Sequence, residues 1–186
     1  MIVWITGKGP WICGNINESP HFQVYNAMNV VGHPGIYHGD EERENEYVFN
    51  LATDAIGEMT RHDNFLAFIH FRDPDYTGHM LQDYDAYMEK AFEVDEYIFQ
   101  LMRMLPQDTD VIYCSDHGFN FIGQGEVESN HRFCPWGMVA TNFPTANVDV
   151  VEQTSIGRMI YRRSGGDPDL CKSTGTEYRM YGIDLV

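Results

Sequence analysis

Apolar and polar positions along the chain alternate between two spacings, and that alternation sets the expected architecture. From Glu41 onward Val48, Leu51, Ala52, Ala55, Ile56 and Met59 recur at helical spacing, with acidic residues crowded at the start, where the helix dipole favours them. Tyr84, Tyr87, Met88, Ala91, Val94, Ile98, Leu101, Met102 and Leu105 mark a longer helix that Pro106 stops and whose other face is acidic. Between them FLAFIH, residues 65–70, is a near-continuous apolar run of strand length, as expected of a strand buried on both faces of a parallel sheet. MIVWIT at the start, DVIYC at 110–114 and the weaker GMVAT at 137–141 predict further strands. Residues 151–163 predict a last helix. Glycine and proline break GKGPWICGN into loop, and the stretch to Asp40 is irregular. The sum is an α/β fold with a mostly parallel sheet flanked by helices.

A length of 186 residues suits one domain with a real core, so 1–186 is read as a single domain. A hydrophobic content of 43% excludes a disordered chain, and no apolar run approaches the roughly 20 residues that span a bilayer. The expectation is a soluble protein whose compartment the sequence leaves open, since no targeting segment is visible. A net charge of −16 argues against nucleic acid or an anionic membrane as partner of the general surface. A phosphate-bearing substrate would need local positive charge, such as a metal ion. Cys13, Cys114, Cys134 and Cys171 are scattered without a paired spacing and are read as structural thiols.

The candidate chemistry follows the strands. In helix-flanked parallel sheets ligands sit outside the carboxyl ends of the strands. RDPDYTGHM, residues 72–80, stands directly behind FLAFIH, and SDHG, residues 115–118, directly behind DVIYC. Each combines a carboxylate with an imidazole: Asp75 with His79 in what reads as a loop, and Asp116 with His117. Such oxygen and nitrogen donors suit zinc, manganese or iron. Asn130-His131-Arg132 supplies a further imidazole from the loop before GMVAT, so that three loops converge. Asp73, on the other side of Pro74, is the rival of Asp75 as ligand, its alternative role being that of a turn carboxylate.

PDYTGH, SDHGF and NHR, in this order, resemble the C-terminal half of the alkaline phosphatase superfamily, nearest its type I phosphodiesterase, nucleotide pyrophosphatase and phosphonoacetate hydrolase branch. IVWITGKGPW is similar to the family's strand with a Thr-x-Lys signature, and VEQTSIGRMIYRRSG to its final helix. The resemblance implies a three-layer, alkaline-phosphatase-like fold and two divalent ions, zinc first and manganese or iron as alternatives, which clamp the oxygens of a phosphoryl ester. Asp75, His79 and His131 would hold one ion, and Asp116 and His117 would bind the other. The family's first-strand Asp and its Thr or Ser nucleophile precede the Thr-x-Lys strand, so the resemblance implies a chain lacking the N-terminal strands and the nucleophile. Thr6 would belong to the Thr-x-Lys element rather than serve as nucleophile. The implied function is a metal-dependent hydrolase-like domain for small phosphorylated substrates, weak or inactive by itself. A sulfatase or phosphoglycerate-mutase relative and a non-catalytic metal-binding fragment are the alternatives. The open sheet edge implied by missing strands predicts a homodimer.

Overall fold

The structure is a computed structural model that describes residues 2–6, 23–24, 29–30, 33–34, 44–61, 65–121, 134, 136–144, 150–152, 155–165 and 179–184. These fall into two compact units, Met1–Gln107 and Asp108–Val186.

In the first unit, strands β1 (Ile2–Thr6), β2 (Gln23–Val24), β3 (Asn29–Val30) and β4 (His33–Pro34) precede helix α1 (Asn45–Met59). Strand β5 (Leu66–His70) follows, and helices α2 (Asp73–Leu81) and α3 (Tyr84–Met104) complete the unit. β2, β1 and β5 form a parallel sheet in that order, with Ile2 opposite Leu66 and Thr6 opposite His70, while β3 and β4 pair antiparallel. The apolar stripe of α1 is the heart of the core: Val48, Ala52, Ala55, Ile56 and Met59 are all buried, with Leu101 of α3 among them. Ala67 and Ile69 of β5 pack against this cluster. Leu66 and Phe68, on the opposite face of β5, keep 40% and 39% of their surface exposed. The expectation that FLAFIH is buried on both faces is therefore corrected: its side chains alternate between core and solvent, as on a strand covered on one face.

α3 begins where Asp83, in extended conformation, accepts a hydrogen bond from the Ala86 amide at 2.9 Å, and ends at Leu105, just before Pro106. Asp83→Ala leaves that amide without its cap and is expected to cost about 0.5–2 kcal/mol, read as a lower urea midpoint. The stacked rings of Phe49 and Tyr97, 4.5 Å between centroids, tie α1 to α3.

The second unit holds β6 (Ile112–Cys114), β7 (Trp136–Thr141), β8 (Val150–Glu152), helix α4 (Ser155–Arg163) and β9 (Arg179–Asp184). Its sheet runs β6-β7-β9-β8. β7 and β9 are parallel, but β6 pairs antiparallel with β7, as β8 does with β9. The one mostly parallel sheet expected from the sequence is thus corrected among the described residues: the predicted strands divide between a three-stranded parallel sheet in the first unit and a mixed sheet in the second, where β6 and β7 run antiparallel. The helix expected from residue 151 begins at Ser155, after a short strand. Asn142 frames the start of β6, accepting from the Val111 amide at 2.7 Å and donating to the Thr109 carbonyl at 2.8 Å. Among the described residues no helix is long and apolar enough to cross a membrane.

Candidate metal centre

PDYTGH lies on a helix, not in a loop. α2 starts two residues after β5 ends, with Asp73 and Asp75 in its first turn and Pro74 beside them. Proline brings a fixed φ suited to the first helical turn and lacks only an amide that would have gone unbonded there, while carboxylates favour the positive end of the dipole. The loop expected for this stretch is therefore corrected: Pro74 stands in the first turn of a short helix, where proline is tolerated. The correction sharpens the chemistry, because residues four apart on a helix share a face. Asp75 Oδ1 and His79 Nε2 stand 3.3 Å apart, and both side chains are largely shielded from solvent. Two donors bound to one tetrahedral zinc at ordinary bond lengths lie about 3.3–3.5 Å from each other. The pair therefore has the spacing of two ligands of one ion.

Asp73 is placed quite differently. It is 3% exposed; its Oδ2 accepts from the Asn45 amide at 2.9 Å, and its own amide donates to Asn45 Oδ1 at 3.1 Å. Arg72 Nε lies 3.4 Å from its Oδ1, and the Arg72 guanidinium covers the Tyr76 ring at 4.1 Å. These bonds engage both carboxylate oxygens of Asp73 within the protein, which leaves Asp75 as the better placed ligand.

In the second unit Ser115 continues β6 by a reciprocal pair of bonds, its amide donating to the Met138 carbonyl at 3.0 Å and its Oγ accepting from the Met138 amide at 2.9 Å. That bond fixes the exit of the strand from which Asp116 and His117 project. Asp116 Oδ2 and His117 Nε2 are 3.5 Å apart, again within the range for two donors to one ion. His117 Nδ1–H donates to the Gly118 carbonyl at 3.0 Å, so in the neutral ring the lone pair lies on Nε2, the nitrogen facing Asp116. Ser115 opens the SDHG motif, but the motif alone gives it no role; the bonds to Met138 do. Cys114 and Cys134 are free thiols. The surrounding protein and, after it, the Asp116 carboxylate push the Cys114 thiol up from its ordinary range, which keeps it protonated at neutral pH.

The structure thus brings the expected residues together in two pairs, one in each unit. His131 and its loop lie outside the described residues. Among the described residues no group of three or more His, Cys, Asp or Glu side chains gathers at one point. Each pair alone would leave two of the four positions around a tetrahedral ion open.

Residues 17–147, which include both pairs and His131, match the family model of type I phosphodiesterase / nucleotide pyrophosphatase. No curated protein and no solved structure matches the chain. A match over well more than half of the sequence, spanning every residue of the two donor pairs, places this chain in the type I phosphodiesterase / nucleotide pyrophosphatase family, within the alkaline phosphatase superfamily.

Proposed function

We propose that residues 1–186 form one metallohydrolase-like domain for phosphoric (di)esters or related phosphorus compounds, weak or inactive by itself, with Asp75, His79 and His131 holding one divalent ion and Asp116 with His117 contributing to a second. The observation that carries this reading is the Asp75–His79 pair, two unlike donors set on one helix face at 3.3 Å. Zinc suits mixed carboxylate and imidazole donors, and manganese or iron are the alternatives. When bound, the ions would supply Lewis-acid charge toward phosphoryl oxygens. The protein's own part is orientation. α2 holds Asp75 and His79 on one face, and the Gly118 carbonyl sets the His117 tautomer so that Nε2 can donate. No residue of 1–186 is assigned as the attacking hydroxyl. A homodimer through a sheet edge belongs to the same reading.

Calorimetric titration of the chelated protein with zinc tests this. His131→Ala is expected to bind more weakly than the unmodified protein, and equal affinity would remove His131 from the set. Turnover of a nitrophenyl phosphodiester by residues 1–186 is expected to be at most barely above background. Robust turnover abolished by Asp116→Ala would mean that a residue of this chain attacks phosphorus, with Thr6 the first to examine.

A further inference from the structure

Neither α1 nor α2, the helix that carries the first donor pair, is capped by the side chain that precedes it. The residue before α1, Glu44, makes no side-chain cap bond, and neither does Arg72 before α2. A helix start leaves several amides without intrahelical partners, and a buried one needs an acceptor from elsewhere. Here each helix supplies the other. Asn45 Oδ1 accepts the first amide of α2, and Asp73 Oδ2 accepts the first amide of α1, across 28 residues of sequence.

Asn45 is fully buried, and its Nδ2 has no hydrogen-bond partner among the described residues. A buried amide group left unsatisfied is a cost that an alanine at this position would not carry. What Asn45 contributes in return is the acceptor for the first amide of α2. That helix has nine residues, too few to hold its shape in isolation, and it includes Gly78. Its start must therefore be fixed from outside. Asp75 lies two residues beyond the clamp and His79 one turn further.

We propose that Asn45 and Asp73 are positioning residues for the metal centre, their mutual capping bonds fixing the start of α2 so that Asp75 Oδ1 and His79 Nε2 converge on one ion. This rests on the metal reading of Asp75 and His79. It gives Asp73 a role through hydrogen bonds rather than as a ligand, and gives Asn45 one that the sequence pattern did not single out.

The test is zinc affinity measured beside urea stability in folded protein. Asp73→Ala and Asn45→Ala are each expected to weaken zinc binding about 10- to 100-fold, the range seen when groups orienting a ligand are removed. Asn45→Ala removes the acceptor of the first α2 amide and Asp73→Ala that of the first α1 amide, so each single variant keeps one bond of the clamp and the double variant, which loses both, is expected to bind more weakly than either. Asp73→Asn keeps an oxygen acceptor for the Asn45 amide and is expected to bind nearly as tightly as the unmodified protein. Alanine variants that lose stability yet bind zinc normally would overturn the proposal. So would an Asp73→Asn protein as weak as Asp73→Ala, since the carboxylate charge would then be what matters. If the alanine variants do not fold, Asp73→Glu, which moves the oxygens by one methylene, is expected to weaken binding, and unchanged affinity there rejects the clamp. Normal zinc affinity in Asp75→Ala and His79→Ala would instead bring down the metal reading itself, and the clamp's role with it.

Discussion

Asp75→Ala is expected to abolish measurable zinc binding at the α2 pair while leaving far-ultraviolet circular dichroism unchanged. Asp75 Oδ1 is one of two donors at 3.3 Å, and its loss leaves His79 as the lone ligand on that helix. Removing a charged ligand should cost more than the about 10- to 100-fold that follows when only a supporting hydrogen bond is lost. The effect on folding is small by comparison, because a carboxylate in the first turn of a helix contributes only about 0.3–1 kcal/mol through the dipole. Asp73→Ala should show the reverse balance, with the larger loss in stability. Zinc binding that survives in Asp75→Ala but is lost in Asp73→Ala would exchange the roles assigned to the two carboxylates.

Ile56→Ala is expected to destabilise the first unit by about 2–5 kcal/mol, the range for removing a large aliphatic side chain from a packed interior. Ile56 is 2% exposed in the cluster with Val48, Leu51, Ala52, Ala55, Met59 and Leu101, so its truncation opens a cavity in a packed interior. Urea unfolding of the two proteins measures the difference. A loss under about 1 kcal/mol would mean that α1 repacks freely, and the cluster around it would then be looser than the burial of Val48 and Met59 implies.

The helices that the sequence revealed are those with a long apolar stripe. Val48 through Met59 predict a face, and that face is buried. Val94 and Leu101 do the same for α3, although Tyr84, counted in the same stripe, is exposed. α2 was hidden because it has almost no apolar face, and its first amide is bonded to a side chain 28 residues away that no local pattern reveals. Strand direction was equally invisible. An apolar run predicts that DVIYC and GMVAT extend but not whether they run together, and they pair antiparallel. Of the candidate ligands, the carboxylate–imidazole pairs could be read directly, since each lies within five residues. His131 is separated from both in sequence, and its loop lies outside the described residues.

The strand order of the second unit also governs how the protein can be born. β9 lies between β7 and β8 in the sheet, yet it is the last of these strands in the chain. Among the described strands β8 pairs with β9 alone. A nascent chain lengthening by about 5–20 residues per second can assemble β1, β5 and α1 early, since all lie before residue 71. β7 and β8 must wait until residues 179–184 have left the ribosome before the strand that joins them exists. During that interval β7 carries an open edge, the kind of surface that pairs with other chains. Slow synthesis should therefore endanger the C-terminal unit alone, and a release of the chain before residue 179 should leave an ordered first unit attached to an unfinished sheet.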